Sequence, residues 1–215
     1  IIGTTNANTG VKTSYLTTIG DNAFEGAVNI NKIDAPALTT FGSTPFGTSS
    51  ASLTNLQYVL LPAYDWAGDA MTNLQLLINN SALVEVDLSG TTNVSGVTSL
   101  VGKTNLKKVI LAANSEIGAS AFSGAGVAGD FQIVNINKIK SVGENAFANS
   151  ALAQDIKFVN TVKAIGKNAF AGTAIPSFDF TGVETIGEAA FQNATALNIV
   201  TVPTVETIEA NTFNG

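Results

Sequence analysis

The segment "AIGKNAFAG" at residues 164–172 decides the fold, because close variants of it recur along the chain. The other copies are "TIGDNAFEG" at 18–26, "EIGASAFSG" at 116–124, "SVGENAFAN" at 141–149, "TIGEAAFQN" at 185–193 and "TIEANTFNG" at 207–215. A glycine turn that leads into a short helix can hold a phosphate. Six copies within 215 residues indicate architecture instead of a site.

The phenylalanine of each copy measures the repeat length. These residues are Phe24, Phe122, Phe147, Phe170, Phe191 and Phe213, and the last four gaps are 25, 23, 21 and 22 residues. The 98 residues between Phe24 and Phe122 fit four diverged units of similar length, and "LTTFGSTPF" at 38–46 is one of them.

A second series of short segments, in which apolar residues occupy alternate positions, follows most of these phenylalanines. They are "IDA" 33–35, "VLL" 59–61, "VDL" 86–88, "VIL" 109–111, "VNI" 134–136, "IKF" 156–158, "FDF" 178–180 and "VTV" 200–202. Their constant long spacing excludes tight hairpins. It predicts a right-handed repeat solenoid of about nine coils, with one short parallel strand per repeat of about 22–27 residues.

Period two along a strand predicts which residues form the core. The first and third residues of each strand face inward, as in Val109 with Leu111 or Phe178 with Phe180. Stacked Phe side chains form a spine beyond the sheet, in short helical or irregular segments. The "IG" glycine lets the backbone turn tightly, and the small Ala lets coils approach.

Composition excludes several kinds of chemistry. The chain has no Cys, His or Arg, a net charge of −6, 45% hydrophobic residues and 12% charged residues. Thiolate nucleophiles, Ser-His-Asp triads and the usual zinc ligands are therefore absent. The acidic balance also argues against nucleic acid, and no apolar run is long enough for a membrane helix. We expect no cofactor and no membrane insertion.

Repeats of the form V-x-x-I-G-x-x-A-F-x-x followed by a short strand resemble the BspA-like leucine-rich repeats of bacterial surface proteins. The resemblance is strong over 105–215 and 11–47 and weaker over 48–104, where "LVEVDLSGTTNVSGV" looks like an ordinary leucine-rich repeat. We therefore predict one solenoid domain over 1–215, with regular repeats at 11–47 and 105–215 and irregular repeats at 48–104. The resemblance implies a secreted or cell-surface location and protein binding or adhesion.

The outward strand residues are the first candidate binding site. They flank the inward positions on a sheet that would span roughly 34 Å at about 4.8 Å per strand. These residues are Lys32, Asp34, Tyr58, Leu60, Glu85, Asp87, Lys108, Ile110, Ile133, Asn135, Asp155, Lys157, Ser177, Asp179, Ile199 and Thr201. Unselected solvent-facing positions would have the same placement, so that alternative stays open.

The second candidate is "LPAYDWAGDAM" at 61–71, where the repeat lengthens and the only Trp appears. Tyr64 and Trp66, with Asp65 and Asp69, could recognise a sugar ring or a protein partner on an exposed insertion. The structural alternative is that Trp66 fills a widened core.

Catalytic and metal roles have weaker support. Glu85, Asp87, Asp155 and Asp179 could supply a glycosidase carboxylate pair, but open sheets lack a cleft that excludes water. Asp65 and Asp69 could contribute to a calcium site. "GKT" at 102–104 lacks the earlier glycine of a phosphate-binding loop, since position 97 is Val97.

The sequence thus predicts a non-enzymatic surface module that binds a host or matrix protein, or that serves within a larger assembly. The alternatives are a structural spacer in a larger surface protein and a glycan-binding component of a glycan-uptake system.

Overall fold

A computed structural model describes residues 4–5, 12–13, 15–47, 53–66, 82–92, 94, 100–158 and 161–215. The chain divides into two compact units, Ile1–Thr91 and Thr92–Gly215. The predicted solenoid is confirmed as a parallel β-coil with almost no helix and about seven turns in the described residues, where about nine coils were expected. The single-domain organisation stays a prediction.

Unit 1, Ile1–Thr91, contains two sets of parallel strands and one antiparallel pair. The antiparallel pair is β1 Thr4–Thr5 and β2 Lys12–Thr13. The "IG" segments form the parallel pair β3 Thr18–Ile19 and β5 Thr40–Phe41. The predicted strand series forms the parallel set β4 Lys32–Asp34, β6 Tyr58–Leu60 and β7 Glu85–Leu88.

Unit 2, Thr92–Gly215, repeats the same two sets. Its strand series contains β8 Lys108–Leu111, β10 Gln132–Val134, β12 Ile156–Lys157, β14 Ser177–Asp179 and β16 Ile199–Thr201. Its "IG" series is the parallel sheet of β9 Glu116–Ile117, β11 Ser141–Val142, β13 Ala164–Ile165 and β15 Thr185–Ile186. Regular coils therefore carry a second strand that the sequence analysis missed.

The alternation of side chains places the core as predicted on most strands, but Val200 and Val202 of the predicted "VTV" strand are 40% and 38% exposed and do not lie in the core. Val109, Leu111 and Phe180 are fully buried, and Phe178 is 1% exposed. The residues between and before them face outward, away from the core. We call the outward side of these strands the strand face, formed in unit 1 by β4, β6 and β7 and in unit 2 by β8, β10, β12, β14 and β16.

The predicted phenylalanine spine is confirmed in unit 2. Phe122, Phe147, Phe170, Phe191 and Phe213 stack in sequence, with ring centroids 5.4, 5.1, 5.3 and 5.6 Å apart. Unit 1 has the corresponding pair Phe24 and Phe46 at 5.7 Å. Each ring thus covers the ring of the previous coil.

The backbone around these rings adopts a left-handed conformation at two places per copy. Asn145 and Asn149 have φ of 54° and 56°, and Asn168 and Gly172 have φ of 54° and 67°. The N–H of Asn145 donates to the carbonyl of Lys167 at 2.9 Å, and the N–H of Asn149 donates to the next coil at 2.7 Å. These turns, which we call the turn side, therefore bond coil to coil as a strand does.

The "IG" glycines have a different role from the one predicted. Gly143, Gly166 and Gly187 do not have positive φ. A Cβ on Gly166 would lie 2.5 Å from the carbonyl carbon of Gly143, and one on Gly187 would lie 2.6 Å from the backbone nitrogen of Lys167. These glycines allow close stacking of coils, so the attribution of that role to Ala alone was incomplete.

Ion pairs between residues one repeat apart add to the stacking of unit 2. They are Lys107 with Asp130, Lys140 with Glu116, Lys157 with Asp179, Lys163 with Glu184 and Lys167 with Glu188, at 2.7 to 3.0 Å. Exposed pairs of this kind contribute little to stability, because water and salt screen them.

Candidate binding surface

In unit 1 the strand face is a grid of two rows. The first row is Lys32, Tyr58 and Glu85, and the second is Asp34, Leu60 and Asp87, each set in direct register across β4, β6 and β7. Ile33, Val59 and Val86 lie between the rows and point into the core. The grid thus places one aromatic and one aliphatic side chain among charged neighbours.

The charges of this grid are partly engaged within the chain. Lys32 Nζ lies 2.9 Å from Asp34 Oδ2 on the same strand. Asp87 is only 8% exposed, and its Oδ1 accepts hydrogen bonds from the Ser89 backbone N–H and hydroxyl at 2.9 and 2.6 Å. Tyr58 and Leu60 are half-buried.

On β12 and β14 of unit 2 the polar groups satisfy one another. Ser177 donates its hydroxyl to Asp155 at 2.5 Å, and Lys157 pairs with Asp179 at 3.0 Å. Asp179 also accepts from the Thr181 backbone and hydroxyl. The hydroxyl of Thr181, followed by the Lys157 ammonium, holds the pKa of Asp179 below its ordinary value.

The neighbouring strands β8 and β10 present a more apolar face. Ile110 is half-buried and Val134, its register partner, is 38% exposed. Lys108 and Gln132 stand opposite each other in the other row. On β16, Ile199 is 60% exposed and Thr201 is also exposed.

The prediction for Ile133 and Asn135 was wrong in register. β10 pairs as Gln132 with Lys108 and Ile133 with Val109, so Ile133 is 2% exposed and faces the core. Asn135 ends the strand in a left-handed conformation with φ of 68°, just before the 3-10 turn Ile136–Lys138. A slip of one residue reverses the face of every side chain in a strand. Gln132 and Val134 therefore replace them on the strand face.

Gln154 explains why the strand series is interrupted after β10. Its side-chain amide accepts from the Ile133 N–H at 2.9 Å and donates to the Ile133 carbonyl at 3.2 Å. A side chain thus takes the place of a neighbouring strand at this point. No pattern in the repeat predicts this, because it depends on one long amide side chain.

Tyr64 and Trp66 do not lie on an exposed insertion, which corrects that site prediction. Tyr64 is 5% exposed and Trp66 is fully buried. Both rings pack with Phe41, which lies 4.8 Å from Tyr64 and 6.4 Å from Trp66 between centroids. The alternative of a Trp that fills the core fits this placement. Asp65 is exposed, and Asp69 lies outside the described residues.

The aspartates at the ends of two strands share a turn that sequence reasoning missed. Asp87 is followed by Ser89 and Gly90, and Asp179 by Thr181 and Gly182. In both copies the Oδ1 atom accepts from the backbone N–H and the hydroxyl two residues later. The pattern D-x-[ST]-G was available as a signal, since Asp and Ser favour such turns.

The geometry offers little for catalysis or metal binding. Cavities of about 140 Å³ beside Ile19 and Phe24, and of about 130 Å³ beside Glu206 and Glu209, are below the roughly 300 Å³ of typical ligand pockets. Within the part of the chain that the structure describes, no three acidic, His or Cys side chains are grouped to hold a metal ion. The second cavity is also lined by Glu184, but none of Glu85, Asp87, Asp155 and Asp179, the predicted carboxylates, lines either cavity.

This arrangement defines a repeat solenoid with an open sheet face. A sequence model described as BspA type leucine-rich repeat region matches the chain in six copies, over residues 4–128 and 115–215. The chain belongs to this family, and the resemblance noted in the sequence is confirmed.

The family has general properties that bear on this chain. Leucine-rich repeats generally mediate protein interactions and are generally non-enzymatic, and BspA-like proteins are typically surface-associated. No curated protein and no solved structure matches the chain. Among the described residues, no helix combines the length and apolar character needed to cross a membrane.

Proposed function

We propose that the chain is a non-enzymatic binding module of a secreted or cell-surface protein, and that it binds a host or matrix protein through the strand face. The observation that carries this proposal is a difference between the two sides of each coil. The turn side keeps the same residue types in most copies, whereas the strand face does not. Apolar side chains, including Tyr58, Leu60 and Val134, are partly accessible on the strand face, and they do not follow the repeat.

The composition and the length of the strand face support a protein partner. Half-exposed aromatic and aliphatic side chains among charges resemble the mixed composition of protein interfaces. A row of parallel strands also offers contacts over a longer distance than a small-molecule pocket does.

A structural spacer within a larger surface protein is the second candidate. It is favoured by β12 and β14, where Asp155, Ser177, Lys157 and Asp179 satisfy one another and leave few groups to attract a partner. Such a surface is stable in water without any ligand. The two candidates therefore differ in what they require of the strand face.

The test is surface plasmon resonance of the folded chain against purified extracellular matrix proteins, with a glycan array in parallel. The proposal expects at least one matrix protein to bind, and Tyr58→Ala or Val134→Lys to weaken it by about tenfold, the effect of roughly 1.4 kcal/mol. The control Glu144→Lys changes an exposed residue of the turn side and should not alter binding. Binding only to glycans, or to nothing, would overturn the proposal.

A further inference from the structure

We infer that the chain binds a second copy of itself head to tail, so that the last coil, residues 197–215, docks on the first coil, residues 16–35, of the next copy. This contact uses the two end coils and is independent of the partner proposed for the strand face. The turn sides of these two coils expose complementary halves of the contact that joins neighbouring coils inside the chain.

Backbone hydrogen bonds on the turn side run in one direction along the repeat. The N–H groups at the Asn and Phe positions of the motif donate to carbonyls of the following coil. In unit 2, the N–H of Asn168 donates to the carbonyl of Glu188 at 3.1 Å. In unit 1, the N–H of Phe24 donates to the carbonyl of Pro45 at 2.8 Å. Each coil therefore presents N–H groups to the coil after it and carbonyls to the coil before it.

The turn side of the last coil has a row of open donors in the part of the chain that the structure describes. Among these residues, nothing accepts from the backbone N–H groups of Asn211, Phe213 and Gly215. Phe213 is 36% exposed, whereas Phe191, one coil earlier, is 1% exposed. Ile208 of the last coil is 54% exposed. This edge thus combines unused backbone donors with an uncovered apolar surface.

The turn side of the first coil has the matching row of open acceptors. No hydrogen bond from a described residue reaches the backbone carbonyls of Asp21, Ala23 and Glu25. At the same motif position of unit 2, the Ala169 carbonyl accepts from the N–H of Phe147 at 2.8 Å. Ala23 is also exposed, whereas Ala169 is fully buried. The first coil therefore lacks the cover that a preceding coil gives.

The two edges fit each other in the register of the repeat. The three open donors of one copy then meet the three open carbonyls of the next copy in order. Phe213 lies over the half-buried Phe24 of the next copy, as neighbouring rings of unit 2 stack at 5.1 to 5.6 Å. A second copy thus satisfies backbone groups and covers apolar surface at both edges, and each of these gains favours association.

The charges of the two edges do not oppose this contact. In the same register, Glu206 and Glu209 lie opposite Thr17 and Gly20 of the next copy, so neither carboxylate faces another. The contact joins two different surfaces, so each added copy leaves one edge of each kind open. Association should therefore continue beyond a dimer.

The experiment is sedimentation velocity of the whole folded chain over a wide range of concentration, with one variant for each edge. Gly20→Val blocks the first coil, because its Cβ meets nothing within 4 Å in its own chain but would meet the backbone of the docked coil, as a Cβ on Gly166 meets Gly143. Ile208→Lys blocks the last coil, because it sets an ammonium group against Ile19 of the next copy. Both positions are open in a single copy, so circular dichroism should match that of the unaltered chain.

We expect the mean mass of the unaltered chain to rise with concentration above the 22.0 kDa of one copy. Each variant alone should lose this rise. An equal mixture of the two variants should form a dimer and nothing larger, because each variant keeps the edge that the other lacks. The control Glu144→Lys, on the turn side between coils, should associate like the unaltered chain.

Three results would overturn the inference. A monomer at every concentration would leave each edge to a different protein. Association that persists in Gly20→Val or in Ile208→Lys would place the contact elsewhere on the molecule. A mixture of the two variants that stays monomeric would show that the two edges do not bind each other.

Discussion

The turn side and the strand face of one coil follow different rules. On the turn side, Gly166, Asn168 and Phe170 are held by close packing, left-handed backbone and ring stacking. On the strand face, Ser177 donates its hydroxyl to Asp155, and Asp179 accepts from the hydroxyl of Thr181. The first set recurs in most copies, whereas the second varies from copy to copy, apart from the turn that Asp87 and Asp179 share. Evolution of a repeat can therefore change binding without changing the fold.

The largest expected loss of stability follows the removal of a ring from the phenylalanine stack. Phe170→Ala should lower the free energy of unfolding by about 3–5 kcal/mol, because a fully buried ring is lost from the stack. Phe213→Ala, at the same repeat position but 36% exposed, should lower it much less. Urea denaturation of both variants provides the measurement. Equal losses would contradict the role given to the stack.

The next largest loss of stability follows from crowding where neighbouring coils approach closely. Gly166→Ala should destabilise unit 2 by about 1–3 kcal/mol, since the new methyl group meets backbone atoms that cannot move aside. Gly20→Ala is the matched control in unit 1, where an added Cβ would meet nothing within 4 Å. Thermal unfolding should separate the two variants. A Gly166→Ala protein as stable as Gly20→Ala would show that the approach is not tight.

A stabilising substitution tests the left-handed backbone of the turn side. Ala189 has φ of 55°, where other copies have Asn or Ser. Ala189→Gly should raise the free energy of unfolding by about 0.5–1 kcal/mol, because it relieves the left-handed alanine. The adjacent control Ala190→Gly lacks positive φ and should destabilise. A loss of stability in both variants would argue against left-handed strain.

The smallest expected effect on stability depends on pH and concerns Asp179 on the strand face. The pKa of Asp179 is lowered, mainly by the Thr181 hydroxyl. Its stabilising contribution is therefore complete above the ordinary Asp pKa of about 3.9 and is lost as the pH falls through the lower folded value. Thr181→Val should raise this pKa, followed by carbon-13 NMR of the carboxylate, while Thr185→Val should not. An unchanged pKa in Thr181→Val would reject the hydrogen bond as the main cause.

Most of the fold follows from the sequence because its causes recur. Spacing alone locates the coils, most of the inward residues and the phenylalanine stack, since repeats of about 22–27 residues admit few other arrangements. The left-handed turns leave a weaker signal, a preference for Asn, and the second strand in the "IG" segment is too short for an alternation pattern to reveal it.

The candidate surface is harder to predict, because it depends on single residues. Gln154 and Asn135 set the end of β10, and a one-residue difference there exchanged Ile133 for Val134 on the strand face. The burial of Trp66 is equally hard to predict from the sequence. Its exposure depends on whether Phe41 and Tyr64 pack around it, which no repeat pattern encodes.

The most direct measurement is protease resistance of a displayed library of all single substitutions in the whole chain. Low tolerance is expected at Gly166, Asn168 and Phe170 and at their equivalents in other copies. High tolerance is expected at Tyr58, Leu60, Val134 and Lys157 on the strand face. If strand-face positions were as intolerant as turn-side positions, the strand face would be part of what holds the fold, and the division between scaffold and binding surface would be wrong.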